Sequence, residues 1–433
     1  MIRILTASIC MLTPVLLCGQ SSFTLEECLK IGLEENIGLR MQKFEVERAA
    51  NETALATLSI LPSLNAYTGG SFSWGRSVDM QELVIVNNKM TGSANASISA
   101  SAVLFNGFSG CHTIRRRRLG EKVAEAEAEK VRREISIGIV QAFLKLLLSQ
   151  EMLDNARTSL DNITVQTQKC ESAVRAGGQP RSALYAMEAR KAAEHMETVS
   201  AEGDVAAAKM ALMLLLDRPF DESFEISSPP DEGVPPLPSF PTVDEMRLIA
   251  ESLPEYRGSL NEIYASEEDL AISKSGFYPS LAISAGFGTY YSSASQDKFK
   301  TQFANNHNPT VELGLTIPLF DSGAALYKKR NAEMTVRQKK LERDRIFNEL
   351  YAEIREQYTQ LMVSRQKCLA AEAELLSSKA ALKVEESRFD SGEGDVTDYI
   401  VALNNASLAL GRYTQAKYSY IFQLKIIGLY VKK

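Results

Sequence analysis

The chain is 433 residues long, carries a formal net charge of -6 and is 45% hydrophobic. That length allows two or three ordinary domains or one extended architecture. The acidic balance excludes nucleic acid as the main partner, since phosphate binding needs a basic face, and the ordinary apolar content excludes a disordered chain.

The opening residues, MIRILTASICMLTPVLLCGQ, combine a short basic start, an apolar stretch and Gly19 near the end. They predict a signal peptide over 1–19, cleaved around Gly19–Gln20. Acylation of Cys18 is the alternative reading, and the bulky Leu17 before it fits that poorly. Downstream, no run approaches the ~18 consecutive apolar residues of a transmembrane helix, so a membrane crossing would have to use strands. The six cysteines (Cys10, Cys18, Cys28, Cys111, Cys170 and Cys368) are scattered, which argues against a metal site or a disulfide framework.

From residue 20 the elements follow an order that the chain then repeats. FTLEECLKIGLEENIGLR (23–40) has a Thr cap, an acidic first turn and apolar positions at helical spacing. Its helix runs to LPSLNAYTGG (61–70), where Pro62 ends the helix and starts a strand. Strands are expected at about 61–75 and 93–105, with a polar loop at 76–93 between them. In the second, Ala96, Ile98, Ala100, Ala102 and Leu104 alternate with Ser97, Ser99 and Ser101. LFNGFSG (104–110) closes the alternation. A proline-free helix is expected over 112–175, about 100 Å if straight. Leu153, Leu160 and Thr167, interleaved with Ala156, Ile163 and Cys170, give it a seven-residue spacing suited to long-helix packing. AVRAGGQPRSALYA (173–186) turns the chain at Gly177 and Gly178. A return helix over 180–216 completes a first repeat, 20–217.

The stretch RPFDESFEISSPPDEGVPPLPSFPTV (218–243) holds seven of the 14 prolines and predicts a linker over 218–241. The second repeat, 242–433, restates the first. PTVDEMRLIAESLPEYRG (241–258) corresponds to the opening helix and YPSLAISAGF (278–287) to the first strand. Strands are expected at about 279–291 and 309–320, around a polar loop at 292–308. Leu281, Ile283, Ala285 and Phe287 alternate in one; in the other, Val311, Leu313, Leu315, Ile317 and Leu319 alternate with Glu312, Gly314 and Thr316. LFDSGAA (319–325) answers LFNGFSG. A long helix over 324–389 follows, with Cys368, Leu375, Leu382 and Phe389 at heptad spacing. RFDSGEGDVTDYIV (388–401) supplies a second glycine turn with Asp395 as the cap of a return helix, 395–430. Phe105 and Phe320 are separated by the same number of residues as Gly177 and Gly392.

Each strand is long enough to cross a bilayer when tilted, and Tyr67, Phe72, Trp74, Phe105, Tyr290 and Tyr291 near strand ends suit an interfacial belt. Four strands cannot close a barrel, and an open edge in lipid leaves backbone groups unpaired. Two chains would give eight strands with a filled interior, whereas three would give twelve with a bore. The small Ala, Ser and Gly residues on these strands do not fill an axis, so three copies are expected. The alternative is a structural envelope protein, its hairpins packed on coiled coils, without channel activity.

The TLEECLKIGLEEN opening, the LPSL and YPSL strand starts, the LFNG and LFDSG junctions and the two glycine turns together resemble the TolC family of outer-membrane efflux proteins, over about 22–433. The resemblance implies a mixed α/β fold of mostly long helices in two tandem repeats. Each repeat is helix, strand, strand, long helix, helix, giving a shared trimeric 12-stranded β-barrel and a periplasmic α-helical coiled-coil barrel. It implies an exit duct in the outer membrane for drug efflux or type I secretion, docked to a periplasmic adaptor and an inner-membrane transporter.

A duct needs no catalytic group and no cofactor. The only histidines, His112, His195 and His307, lack ligand-like spacing, so neither catalysis nor metal binding is expected. The resemblance implies that acidic residues just past the second glycine turn ring a closed aperture. Alignment on Gly392 puts the first on Asp398 and the second on Val401, so this chain would have a weaker ring, with Asp395 and Glu393 adding charge nearby. A plain first-turn aspartate favoured by the helix dipole is the other reading. The tips at Gly177, Gly178, Gly392 and Gly394 are the expected adaptor-docking points. Arg115, Arg116, Arg117 and Arg118 follow Phe105 much as Lys328, Lys329 and Arg330 follow Phe320. That placement fits a basic collar facing lipid phosphates, and ion pairs between the long helices fit it equally well.

Overall fold

The computed structural model of the chain describes residues 22–79, 84–227, 234–295, 297–391 and 393–431; the expected signal peptide and Gly392 lie outside them. The elements are α1 (Leu25–Glu35), α2 (Ile37–Leu58), β1 (Ser63–Asp79), β2 (Val84–Asn106), α3 (Ser109–Arg175) and α4 (Arg181–Leu215), then α5 (Val243–Ser252), α6 (Pro254–Ser275), β3 (Ser280–Ser292), α7 (Phe299–Asn305), β4 (Asn308–Thr316), α8 (Ala324–Asp390) and α9 (Val396–Val431). Residue contacts divide the chain into two compact units. Residues up to Arg40, Val131–Met246 and Glu353–Lys433 form one; Met41–Lys130 and Arg247–Ala352 form the other.

The first unit is helical, and its seams keep a seven-residue period. Leu146, Leu153 and Thr167, with Ala156, Ile163 and Cys170, are buried on α3; Ile354, Leu361, Cys368, Leu375 and Phe389 on α8; Met187, Glu194, Ala201 and Ala208 on α4. A strict seven-residue repeat drifts on a straight helix, and left-handed winding keeps such a seam facing its partners. Ile139, Val140, Phe143, Leu146 and Leu147 of α3 meet Leu212 and Met213 of α4, Leu216 just beyond it, Cys28 of α1 and Tyr418 of α9 in the largest core cluster. Each such apolar side chain contributes about 1.5–3 kcal/mol by burial. This stretch makes α3 the one described helix apolar and long enough by composition to cross a membrane, and its apolar residues are the core seam. The proline-rich linker is strapped to the same unit. The Pro235 carbonyl accepts hydrogen bonds from Arg365 Nη1 at 2.6 Å and the Tyr420 hydroxyl at 3.0 Å.

Both repeats open on the same reciprocal cap. Glu27 N–H donates to Thr24 Oγ1 at 3.2 Å while Thr24 N–H donates to Glu27 Oε2 at 2.8 Å. Glu245 and Thr242 repeat the pair at 3.3 and 2.7 Å. Hydrogen bonds from the Thr backbone, then from the Thr side chain, hold both Glu27 and Glu245 below the usual carboxylate range.

The second unit contains a four-stranded antiparallel sheet in the order β1-β2-β3-β4. Pro62 and Pro279 stand just ahead of β1 and β3, where a helix must stop. The β1–β2 hairpin is longer than the alternating pattern indicates, because Ser77, Val78 and Asp79 pair with Val86, Ile85 and Val84 through the expected loop at 76–93. The ladder is a backbone feature, and it resumes at Val86 after Asn87 and Asn88, which pair with no residue of β1. A register shift beside Gly75 (φ 123°) separates this extension from the regular part. The expected loop at 292–308 contains α7, anchored by the buried Gln302, which accepts from Ser292 N–H at 3.0 Å and donates to the Ser292 and Asp297 carbonyls. β4 ends at Thr316 rather than near 320, where Pro318 offers no N–H to a ladder.

The doubled LF junction is a doubled backbone turn. Gly107 and Phe108 take left-handed φ of 63° and 65° before α3; Ser322 and Gly323 take 58° and 83° before α8. The preceding polar residue caps the helix four residues on in both: Asn106 Oδ1 accepts from Gly110 N–H at 3.2 Å, and Asp321 Oδ2 from Ala325 N–H at 2.6 Å. A side chain at Gly107 would also meet the Ser275 carbonyl oxygen at 2.9 Å, so glycine is required there for space as well as for φ.

Candidate functional site

The sheet separates two chemistries onto two faces. Rows across it read Leu64–Ala100–Ala285–Val311 and Ala66–Ile98–Phe287–Pro309 on one face, and Asn65–Ser99–Gly286–Thr310 and Ser63–Ser101–Ser284–Glu312 on the other. Phe72, Trp74, Ile283, Leu313 and Leu315 continue the apolar face; Tyr67, Ser71, Ser93, Asn95, Ser97 and Tyr290 continue the polar one. Hydroxyl pairs tie neighbouring strands on the polar side, Ser63 to Ser101 at 2.9 Å and Ser71 to Ser93 at 2.8 Å. Leu64, Trp74 and Val311 of the apolar face are each more than 70% exposed within the chain. The outer edges of β1 and β4 pair with no strand among the described residues. Such an open sheet, apolar on one face and polar on the other, has the surface pattern of a barrel segment in lipid.

The helix tips lie in the first unit. Gly178 N–H donates to the Ala173 carbonyl at 2.9 Å and Gly177 N–H to Val174 at 3.1 Å, with Gly177 at φ 79°, a Schellman ending of α3. In the second turn Glu393 and Gly394 N–H both donate to the Arg388 carbonyl, at 3.0 and 2.9 Å. A Cβ on Gly394 would approach backbone atoms of Arg388 and Phe389 to 3.0 Å, so the turn needs its small size. Asp395 caps α9 by accepting from Thr397 N–H at 3.1 Å. Behind the turns, Ile163, Cys170, Ala183, Met187, Phe389, Tyr399 and Leu403 form a small core, with the Phe389 and Tyr399 rings stacked at 5.3 Å. Burial, then the nearby Glu386 and Asp390 charges, push the Tyr399 phenol up to about 12, and burial raises the Cys170 thiol.

Asp398 is exposed, opposite the buried Tyr399 side of α9. It begins a row at alternating three- and four-residue steps, Asp398, Val401, Asn405, Leu408, Arg412 and Gln415, that its own chain leaves uncovered. An equivalent exposed stripe runs along α4 through Tyr185, Ala192, Met196, Val199, Ala206 and Met210. The seven-residue seams mark neither stripe; the apolar residues Tyr185, Met196, Val199 and Met210 beside the α4 seam signal one, and the α9 row, with only Val401 and Leu408 apolar, has no such signal.

The basic residues after the junctions have divided surroundings. Arg116 pairs with Asp269 at 3.3 Å and Arg117 with Glu52 at 2.6 Å, while His112 meets Glu268 at 2.5 Å. Lys329 reaches Glu333 at 3.6 Å and Arg330 lies over the Tyr327 ring. Arg115, Arg118 and Lys328 are exposed. No group of three potential metal ligands occurs among the described residues.

This fold and two-faced sheet define a class of outer-membrane channel-forming chains. The sequence profile of the outer membrane efflux protein family matches residues 29–218 and 257–424, and the chain belongs to that family. The alkaline protease secretion protein AprF of Pseudomonas aeruginosa is 22% identical over 296 residues, which cover 66% of this chain and 59% of that relative. The chain therefore aligns with less than two thirds of that relative's length. Among solved structures, CusC superposes with a TM-score of 0.81 at 17% identity over 94% of this chain and 91% of that one. The Campylobacter jejuni CmeC outer membrane channel superposes with a TM-score of 0.80 at 18% identity, over 94% and 85%. The family consists of transport channels of the outer membrane, not enzymes.

Proposed function

We propose that this chain is the exit duct of an efflux pump or a secretion system, assembled as a homotrimer in the outer membrane with its long helices in the periplasm. The observation that carries this is the open sheet. An edge in lipid leaves backbone groups unsatisfied at several kcal/mol each, so β4 of one copy must meet β1 of another. Twelve strands leave a bore, and the Ser, Thr, Asn and Gly residues of the polar face line it. The uncovered stripes on α4 and α9 supply the matching helix contacts. A periplasmic adaptor and an inner-membrane transporter would be the partners, as in the efflux and secretion assemblies of the family. Purified in mild detergent, the protein should show the mass of three chains by light scattering; a stable monomer would refute the shared barrel.

Within this reading the tips at Gly177, Gly178 and Gly394, with Gly392 between the described residues, receive the adaptor. Asp398 forms the gate ring, with Asp395 serving as a helix cap whose charge adds to it. Three Asp398 carboxylates at a narrow aperture would repel each other and attract cations. Replacing Asp398 with Ala should raise the leak conductance or alter cation block in planar bilayers, and unchanged currents would remove it from the gate. In the basic collar, Arg115, Arg118 and Lys328 are the groups available to lipid phosphates, because Arg116, Arg117 and Lys329 are held in ion pairs.

A further inference from the structure

The loop that holds α7 folds back onto the apolar face of the sheet. In β3, Phe287, Thr289 and Tyr291 belong to that face, in rows with Ile98, Ala96 and Ala94, and all three reach the loop. The Thr289 hydroxyl donates to the Phe303 carbonyl at 2.8 Å, the Tyr291 and Phe299 rings meet at 4.9 Å, and Phe287 stacks on His307 at 6.2 Å. Phe299 also stacks on Phe303 at 5.1 Å and still remains half exposed. Phe72 and Trp74 stand exposed on the same face, at the same end of the sheet. Lys298 and Lys300 flank Phe299; both are exposed, and neither forms an ion pair among the described residues. Asp297 is the only acidic residue of 293–307, so the loop is net positive. Of the other charged residues at this end, Lys89 is in register with Gly75, in the polar-face phase, and Arg76 and Asp79 lie in the β1–β2 extension beyond it.

We propose that α7 anchors the outer end of the barrel, with its aromatic rings in the outer-leaflet interface and Lys298 and Lys300 bound to anionic lipid phosphates. The proposal rests on the channel reading above, which puts the long helices in the periplasm and hence this end of the sheet at the outer leaflet. A loop made for water would turn its rings away from solvent, whereas this one lays them on a surface that itself faces hydrocarbon. Aromatic rings at that level form the girdle of a membrane barrel. Lysine stems lie along apolar surface while their ammonium groups reach the headgroups. Each lysine near an anionic surface adds an attraction that decays within about one Debye length, ~8 Å at physiological salt. The rings and the lysines therefore favour one occupant, a lipid with an anionic phosphate headgroup, where a free phosphate would engage the lysines alone.

The test has two arms. Trp74 is the chain's single tryptophan, so Trp74→Phe combined with Phe299→Trp puts the only indole on α7. In reconstituted vesicles, lipids brominated near the headgroup should quench it, and aqueous acrylamide should quench it several-fold less than free tryptophan. Strong acrylamide quenching without any effect of brominated lipid would put α7 in water and overturn the anchor. The second arm measures binding of fluorescent diphosphorylated lipid A to the detergent-solubilised oligomer. Lys298→Gln with Lys300→Gln should weaken binding about ten-fold at ~0.15 M salt and far less at about 1 M, whereas arginine at both positions should retain it. Unchanged affinity of the Gln pair, or displacement of lipid A by equimolar inorganic phosphate, would overturn the lipid assignment while leaving the duct intact. Failure of the native chain to open any channel would instead overturn the duct, and this inference with it.

Discussion

Replacing Leu153 with proline should leave no oligomer in mild detergent and no conductance in planar bilayers. Leu153 is buried in the second half of α3, at a heptad position shared with Leu146 and Thr167. Proline removes one backbone hydrogen bond and clashes with the carbonyl four residues earlier, at about 3 kcal/mol or more. The larger consequence is geometric. A kink displaces every later contact of the helix, including the tip core of Ile163 and Cys170. Leu153→Ala is the matched control, losing about 2–5 kcal/mol of packing without bending the helix. It should assemble and melt at a lower temperature. Size-exclusion chromatography with light scattering distinguishes the two, and normal assembly of the proline variant would contradict a continuous rod.

Adjacent residues of β2 should respond in opposite ways to the same substitution. Ile98 lies on the apolar face between Ala66 and Phe287; Ser99 lies on the polar face between Asn65 and Gly286. Arginine at Ile98 faces hydrocarbon, at about 2–4 kcal/mol per copy near the bilayer midplane, and the cost recurs in every copy of the ring. Outer-membrane yield and oligomer content should collapse. Arginine at Ser99 points into water, so assembly should survive, with a shift in ion selectivity toward anions. Membrane fractionation followed by bilayer recording checks both. Equal tolerance of the two variants would mean that neither face meets lipid.

Most elements were legible in the sequence because their signals are local. Proline marks the helix ends at Pro62 and Pro279, period two marks β3, and the Thr-x-x-Glu box marks both repeat openings. The misread segments are those in which backbone pairing outran side-chain pattern. Ser77, Val78 and Asp79 pair with Val86, Ile85 and Val84 inside the stretch that reads as a polar loop, and β4 stops early once Pro318 deprives the ladder of a donor. For the candidate sites, the chain signalled the glycine turns through the spacing of its repeats, whereas Asp398 follows only from the family resemblance. It did not signal that Arg116 and Arg117 are claimed by Asp269 and Glu52, since those partners are far away in sequence.

By itself the sequence determined the doubled order of elements, the apolar-polar alternation of the strands and the seven-residue seams, because each depends on residues a few positions apart. Tertiary structure alone decided that four strands form one sheet with β1 and β4 as edges, and that α4 and α9 leave a second stripe uncovered. Those facts depend on which distant segments meet, and hydrogen-bond register between strands from different repeats has no signature in either strand alone.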